Sequence, residues 1–290
     1  MRTRITSALV GAPLLLAAVL WRGGPIPFSG WPFALLVLAM LLVGLHEYFV
    51  GCRELGCDPQ QAFGYGAGFL LFFLATPLVP NNAPFALPLI LTLLVIVSLI
   101  LEVLKPKPAP VKNVAPTWLG ILFIGWLFPF ALRLRLLTHR DLPGLHWGLP
   151  ANWMTDFGEG AWLVVFTVVL TTALDSGAYF AGKTLGKHKL APVVSPGKTW
   201  EGAVGGFLAA LVLGVAFAKA VGLPMAFALT AGVVVGVLGQ LADLSKSAIK
   251  REIGIKDFGT LIPGHGGVLD RFDSLLYAAP AVYWLALLWR

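Results

Sequence analysis

Residues 245–273 read SKSAIKREIGIKDFGTLIPGHGGVLDRFD, and an apolar segment lies on either side of them. The stretch holds five of the chain's 21 basic residues, Lys246, Lys250, Arg251, Lys256 and Arg271. It also holds four of the 14 acids, Glu252, Asp257, Asp270 and Asp273. A charged, glycine-rich segment between two greasy ones has the pattern of a polar loop joining membrane spans. The rest of the chain agrees. Of 290 residues, 58% are hydrophobic and 12% charged, against about 25% charged in an ordinary soluble domain. Mean hydropathy is +0.83. This composition excludes a soluble globular protein. The apolar runs are long and do not alternate, which argues against a β-barrel. The net charge of +7 fits basic loops at a membrane surface, and no nucleic-acid partner is expected. Cys52 and Cys57 fall short of the four ligands that a structural zinc site takes.

Working outward, apolar runs predict helices over about 5–21, 31–50, 63–79, 85–104, 116–137, 158–181, 202–221, 224–244 and 274–289. The expected fold is an all-α integral membrane protein, a polytopic bundle of about nine transmembrane helices. It forms one membrane domain over 1–290, with N-terminal helices in 1–115, middle helices in 116–182 and the chemistry in 183–290. With nine spans, fifteen of the 21 Lys and Arg residues fall on the side of the N-terminus and six on the other. The positive-inside rule then places the N-terminus in the cytoplasm. The basic loop after the sixth span and residues 245–273 would share that compartment. The first apolar run reads as a span rather than a cleaved leader, so a bacterial inner membrane is the expected location.

Asp243, Ser247, Lys250 and Arg251 fall at i, i+4, i+7 and i+8, on one face if the eighth helix runs past the membrane. Asp270 and Asp273 share a face if the ninth begins near Leu269. The glycines of Pro263-Gly-His-Gly-Gly267, ahead of both, allow the loop to fold these acids back towards Asp243. Three carboxylates at the membrane boundary make an all-oxygen site suited to Mg²⁺, with Lys and Arg as partners for phosphate. Plainer readings exist for each residue alone. Asp270 can cap a helix, the basic residues can touch lipid headgroups, Asp175 can pair two helices, and His265 can serve a turn. Gly197-Lys198-Thr199 is not a phosphate-binding P-loop, because Pro192 stands where the first glycine is needed. What favours a site is co-occurrence of acids, bases and glycine-rich loops on one side.

Residues 247–273 also resemble a known family. Ser247-x-Ile249-Lys250-Arg251, Lys256-Asp257-x-Gly259 and Ile262-Pro263-x-His265-Gly266-Gly267-Val268-x-Asp270-Arg271-Phe272-Asp273 are similar to the signature of phosphatidate cytidylyltransferases, or CDP-diacylglycerol synthases. Upstream, Asp175-Ser-Gly-Ala-Tyr179, Gly182-Lys183, Gly186-Lys187 and Ser195-Pro-Gly-Lys-Thr199-x-Glu201-Gly202 resemble the family's second polar block. Arg4, Ser7 and the pair Glu47-Tyr48 match less specifically. The resemblance implies that CTP and phosphatidic acid give CDP-diacylglycerol and pyrophosphate. It places Mg²⁺ at Asp243, Asp270 and Asp273, and Asp175 is left either to orient a lysine or to hold a second, monovalent cation. Lys198, Lys250, Arg251 and Lys256 become candidates for the phosphates, Ser195 and Ser247 for hydrogen bonds to them, and His265 for the leaving pyrophosphate. The family also implies a homodimer. Two other classes stay open: a CTP-dependent polyprenol or lipid kinase, and a cation-coupled transporter using Asp175 and Asp243.

Overall fold

The computed structural model describes residues 11, 13–21, 30–78, 85–104, 108–145, 148, 157–261 and 266–289. Eight helices organise them: α1 (Trp31–Glu54), α2 (Gln61–Phe73), α3 (Ala86–Leu104), α4 (Pro110–Leu136), α5 (Glu159–Leu185), α6 (Trp200–Val221), α7 (Met225–Ile253) and α8 (Asp273–Leu288). Residues 13–20 are helical as well. Six of the eight, all but α2 and α8, are long and apolar enough to cross a membrane. At 13 and 16 residues, α2 and α8 fall short of the roughly 20 that a bilayer core of about 30 Å asks for. The expected first span lies only partly within the described residues. Where the sequence suggests nine spans, the described residues therefore hold six helices of spanning length.

The second half of the bundle is held by close backbone approach. Buried Gly202, Gly206, Ala210, Gly214 and Ala218 recur every fourth residue along α6. That spacing makes a flat stripe on which another helix can lie. A Cβ at Gly206 would stand 2.6 Å from the Leu174 carbonyl of α5. On α7 a similar face of Ala228, Ala231, Val235, Gly239 and Ala242 is buried. In lipid, apolar burial adds little between helices, so dispersion from such close packing holds them together.

The N-terminal half is less regular. Within α4, residues Ile121–Trp126 take π geometry between Pro116 and Pro129. Each proline removes an N–H from the ladder, and the local widening absorbs the mismatch. The helix starts at Pro110, six residues before the expected span. Buried Arg135 of α4 donates from Nε to the Val19 carbonyl at 2.5 Å and from Nη2 to that of Trp21 at 3.1 Å. Those bonds tie the first helical stretch to the bundle.

One element departs from the all-α expectation. β1 (Lys189–Ala191) and β2 (Ser195–Thr199) form an antiparallel hairpin between α5 and α6, with Lys189 opposite Thr199 and Ala191 opposite Ser195. Its base is fixed by Glu201, whose carboxylate accepts the backbone N–H groups of Lys187 (3.1 Å) and His188 (3.2 Å) and meets His188 Nδ1 at 2.6 Å. Thr199 caps α6 by accepting the Gly202 N–H at 3.1 Å, an ordinary N-cap bond. The hairpin thereby carries Lys198 towards α7.

Candidate functional site

Helices α5, α6 and α7, the hairpin and the turn before α8 surround a cavity of about 500 Å³. Asp175, Lys183, Lys198, Asp243, Lys246 and Asp273 line it, joined by Asp270 and Arg271. The expected continuation of the eighth helix holds, because α7 runs unbroken through Ile253. It therefore presents Asp243, Lys246 and Lys250 on successive turns.

Acids and bases alternate across the cavity wall. Lys198 Nζ lies 2.5 Å from Asp243 Oδ2. Lys246 Nζ lies 3.4 Å from Asp243 Oδ1 and also pairs with Asp273. It donates in addition to the Asp270 carbonyl at 3.3 Å. The Lys246 side chain is only 6% exposed, against 33% for Asp243. Ser274 donates to Asp175 Oδ1 at 3.4 Å, which places a third carboxylate beside Asp273. Lys246 was read from the sequence as a residue for lipid headgroups, and the structure makes it the hub of the row. A signal for this existed: Lys246 continues the buried small-residue face of α7, four residues after Ala242 and seven after Gly239.

Asp270 behaves differently from Asp243 and Asp273. The ninth helix is expected over about 274–289, and α8 begins at Asp273, so the start near Leu269 that a shared face requires is not met. Asp270 thus sits in a turn, and the two acids do not share a helical face. Its Oδ1 accepts from Lys250 Nζ at 2.9 Å. Its Oδ2 accepts the backbone N–H groups of Phe258 (2.8 Å) and Gly267 (3.1 Å). With both oxygens engaged and the side chain 5% exposed, Asp270 pins the two strands of its own loop together.

The donor set remains right for a hard cation. Among the described residues, no three His, Cys, Asp or Glu side chains stand grouped as a ready metal cage. Asp243 and Asp273 nevertheless converge on one ammonium, that of Lys246, with Asp175 on the same cavity. Asp243, a third exposed, and the buried Asp273 thus give one cavity two carboxylates, and Mg²⁺ takes one or two from a protein and completes its shell with water and phosphate oxygens.

The other expected residues divide. Lys198 lines the cavity, and Lys250 reaches it through Asp270. Arg251 donates from Nε to the Val194 carbonyl at 3.3 Å, holding the hairpin tip. Ser195 and Ser247 are half-buried and Lys256 is exposed, and none of the three lines the cavity. His265, Arg4 and Ser7 lie outside the described residues. Lys183 and Arg271, not singled out for phosphate from the sequence, both line the cavity. Cys52 and Cys57 are free thiols.

Apolar helices of spanning length, ending around a cavity that mixes lysines with carboxylates, define a membrane protein equipped for phosphate chemistry beside a bilayer. The pattern of the cytidylyltransferase family matches residues 2–289, and the chain belongs to that family. It is 33% identical to a phosphatidate cytidylyltransferase of Synechocystis over 295 residues, covering 98% of this chain and 96% of that protein. It is 40% identical to one of Bacillus subtilis over 58% of this chain and 56% of that protein. It is also 39% identical to one of Haemophilus influenzae over 63% and 62% of the two chains.

Proposed function

We propose that the protein transfers the cytidylyl group of CTP to phosphatidic acid, giving CDP-diacylglycerol and pyrophosphate for phospholipid synthesis. The observation that carries this reading is the alternating Lys198–Asp243–Lys246–Asp273 row in a chain whose full length matches a cytidylyltransferase. The attacking atom is an oxygen of the phosphatidic acid phosphate. It forms a bond to the α-phosphorus of CTP as the bond from that phosphorus to the bridging oxygen breaks, and pyrophosphate leaves. The nucleophile is already an anion, so no Ser, Cys or His nucleophile is required. The barrier is repulsion between two anions and their alignment, which fixed cations lower. Lys183, Lys198 and Arg271 line the cavity and are placed to neutralise phosphate oxygens. Lys246 bridges Asp243 and Asp273 and holds both on the same cavity.

Asp243 and Asp273, with Asp175 beside them, would hold Mg²⁺. When bound, that ion would draw charge from the phosphates and orient them. Asp175 is also placed to favour a second, monovalent cation. The exposed apolar residues Val204 and Leu241 follow the cavity residues Ala203 and Gln240 in the chain, which favours sideways entry of the lipid from the bilayer. The finer topology belongs to the same proposal: nine crossings, with α2, α8 and the N-terminal stretch as short spans met by local thinning of the bilayer, a cytoplasmic N-terminus and a bacterial inner membrane. A homodimer is likewise part of it. The test is conversion of phosphatidic acid by purified protein and CTP. The product should be a lipid carrying cytidine, formation should stop with EDTA, and Mg²⁺ should restore it. A lipid product without cytidine overturns the reaction, and full activity in EDTA overturns the Mg²⁺ site.

A further inference from the structure

Glu47, near the end of α1, is buried, yet it stands far in sequence from every residue of the site. Its Oε1 accepts the backbone N–H of Val268 at 2.9 Å, and its Oε2 that of Leu269 at 3.0 Å. Two successive backbone N–H groups aimed at one anion form a nest, the arrangement proteins use to hold phosphates and carboxylates. Here the anion is a side chain supplied by the other half of the molecule, 221 positions away from Val268.

The glycines around it fit the same picture. A Cβ at Gly267 would stand 2.5 Å from the Glu47 carboxylate, and one at Gly259 would stand 2.6 Å from its Oε1. Only a residue without a side chain lets the carboxylate lie flat against both segments. Two of the glycines in the 247–273 stretch are thereby explained by a contact to α1 rather than by the turn itself.

The consequence lies three residues on. The segment 268–272 turns on itself, with Arg271 N–H donating to the Val268 carbonyl at 3.0 Å and Phe272 N–H at 3.2 Å. Asp270 closes the other side of the loop through Phe258 and Gly267. Fixing the N–H groups of Val268 and Leu269 therefore fixes the origin of the turn that delivers Asp273 to Lys246 and Asp243. Asp270 anchors this turn from within its own loop, and Glu47 anchors it from the opposite half.

We infer that Glu47 is a positioning residue for cytidylyl transfer: its carboxylate holds the Val268–Leu269 backbone so that Asp273 meets Asp243 across the cavity. The inference rests on the proposed reaction, and it concerns α1, which contributes no side chain to the cavity lining. Loss of the carboxylate leaves Lys183 and Lys198 in place while loosening the turn that carries Arg271 and Asp273. Turnover should fall more than affinity for CTP.

The experiment compares Glu47→Gln, Glu47→Asp and His46→Ala with the unaltered protein in detergent. It measures kcat and KM for CTP per folded molecule, together with hydrogen exchange of the 266–272 backbone. Glu47→Gln keeps the shape but offers an amide NH₂ where an N–H needs an acceptor. The expected result is a fall in kcat of about tenfold to a hundredfold with KM within about threefold, the order of loss that a misplacement near 1 Å brings. Exchange at Val268 and Leu269 should rise while exchange within α1 stays put. Glu47→Asp keeps the charge but is one methylene short, and should fall between the two. His46→Ala, which loses the bond to Tyr65 on α2 and leaves both Glu47 bonds to the loop in place, should leave exchange at 268–269 and kcat unchanged. An unchanged kcat in Glu47→Gln overturns the inference. So does a loss of folded protein with normal kcat per folded molecule, or a loss of kcat without added exchange at 268–269. If Glu47→Gln fails to fold, Glu47→Asp carries the same criteria. If the unaltered protein makes no cytidine lipid, the proposed reaction fails. The exchange measurement still reports whether Glu47 holds the loop.

Discussion

Replacing Lys246 by methionine removes the cation that two acids share and keeps much of its bulk. At 3.4 Å and an effective dielectric of about 20, attraction to Asp243 alone is about 5 kcal/mol before desolvation. Desolvation offsets part of that. Lys246 and Asp273 are 6% and 9% exposed, so water cannot replace the lost partner, and stripping one member from such a buried group costs about 3–5 kcal/mol. Lys246→Met should therefore destabilise the protein by about 3 kcal/mol. Asp273→Asn alone should cost less, because Lys246 keeps Asp243. The double variant should be more stable than Lys246→Met, since the uncompensated charge beside Asp243 and Asp175 is gone, with a coupling of about 2 kcal/mol. Unfolding of the detergent-solubilised protein, followed by fluorescence of its ten tryptophans through an SDS titration, measures all three. If the two single changes add to within about 0.5 kcal/mol, Lys246 is not the bridge between these acids.

The same geometry sets three further expectations. Asp273→Asn should lower turnover at least about a hundredfold with the helical bundle intact, as loss of a charge acting in the transition state does; near-normal turnover removes Asp273 from the site. Arg251→Ala frees the hairpin tip from α7 and should raise KM for CTP several-fold while changing kcat less, measured by initial rates; an unchanged KM means the tip does not bear on nucleotide binding. Gly206→Val drives a side chain into the Leu174 carbonyl and should cut the yield of folded protein sharply, whereas Lys219→Ala, on the exposed far end of α6, should leave yield and activity alone.

Much of this was legible in the residues. Long apolar runs identify the membrane class, because a bilayer leaves few ways to satisfy a backbone. The spacing of Asp243, Ser247, Lys250 and Arg251 correctly implies a helix that continues past Leu244, and α7, unbroken through Ile253, is that helix. Other features were hidden because they are non-local. The hairpin's three-residue first strand is too short to display alternation, and it is held by Glu201 and Arg251, which lie outside it. Lys246 looks like one more basic loop residue until the chain returns Asp273 to it. Asp270 and Asp273 are three apart, which suggests a helical face; the bonds from Phe258 and Gly267 to Asp270 hold a turn there instead and delay the start of α8. The apolar run at 63–79 overstates α2, which ends at Phe73, since apolar composition marks what lipid tolerates and not where hydrogen bonding ends. The run at 274–289 matches α8 to within a residue at each end.

The most direct test of the central claim follows CTP labelled separately at the α- and γ-phosphates, with phosphatidic acid, Mg²⁺ and purified protein. Cytidylyl transfer predicts that the α-label enters the lipid and the γ-label leaves as pyrophosphate. Appearance of the γ-label in a lipid, with CDP released, would contradict it and make the protein a kinase.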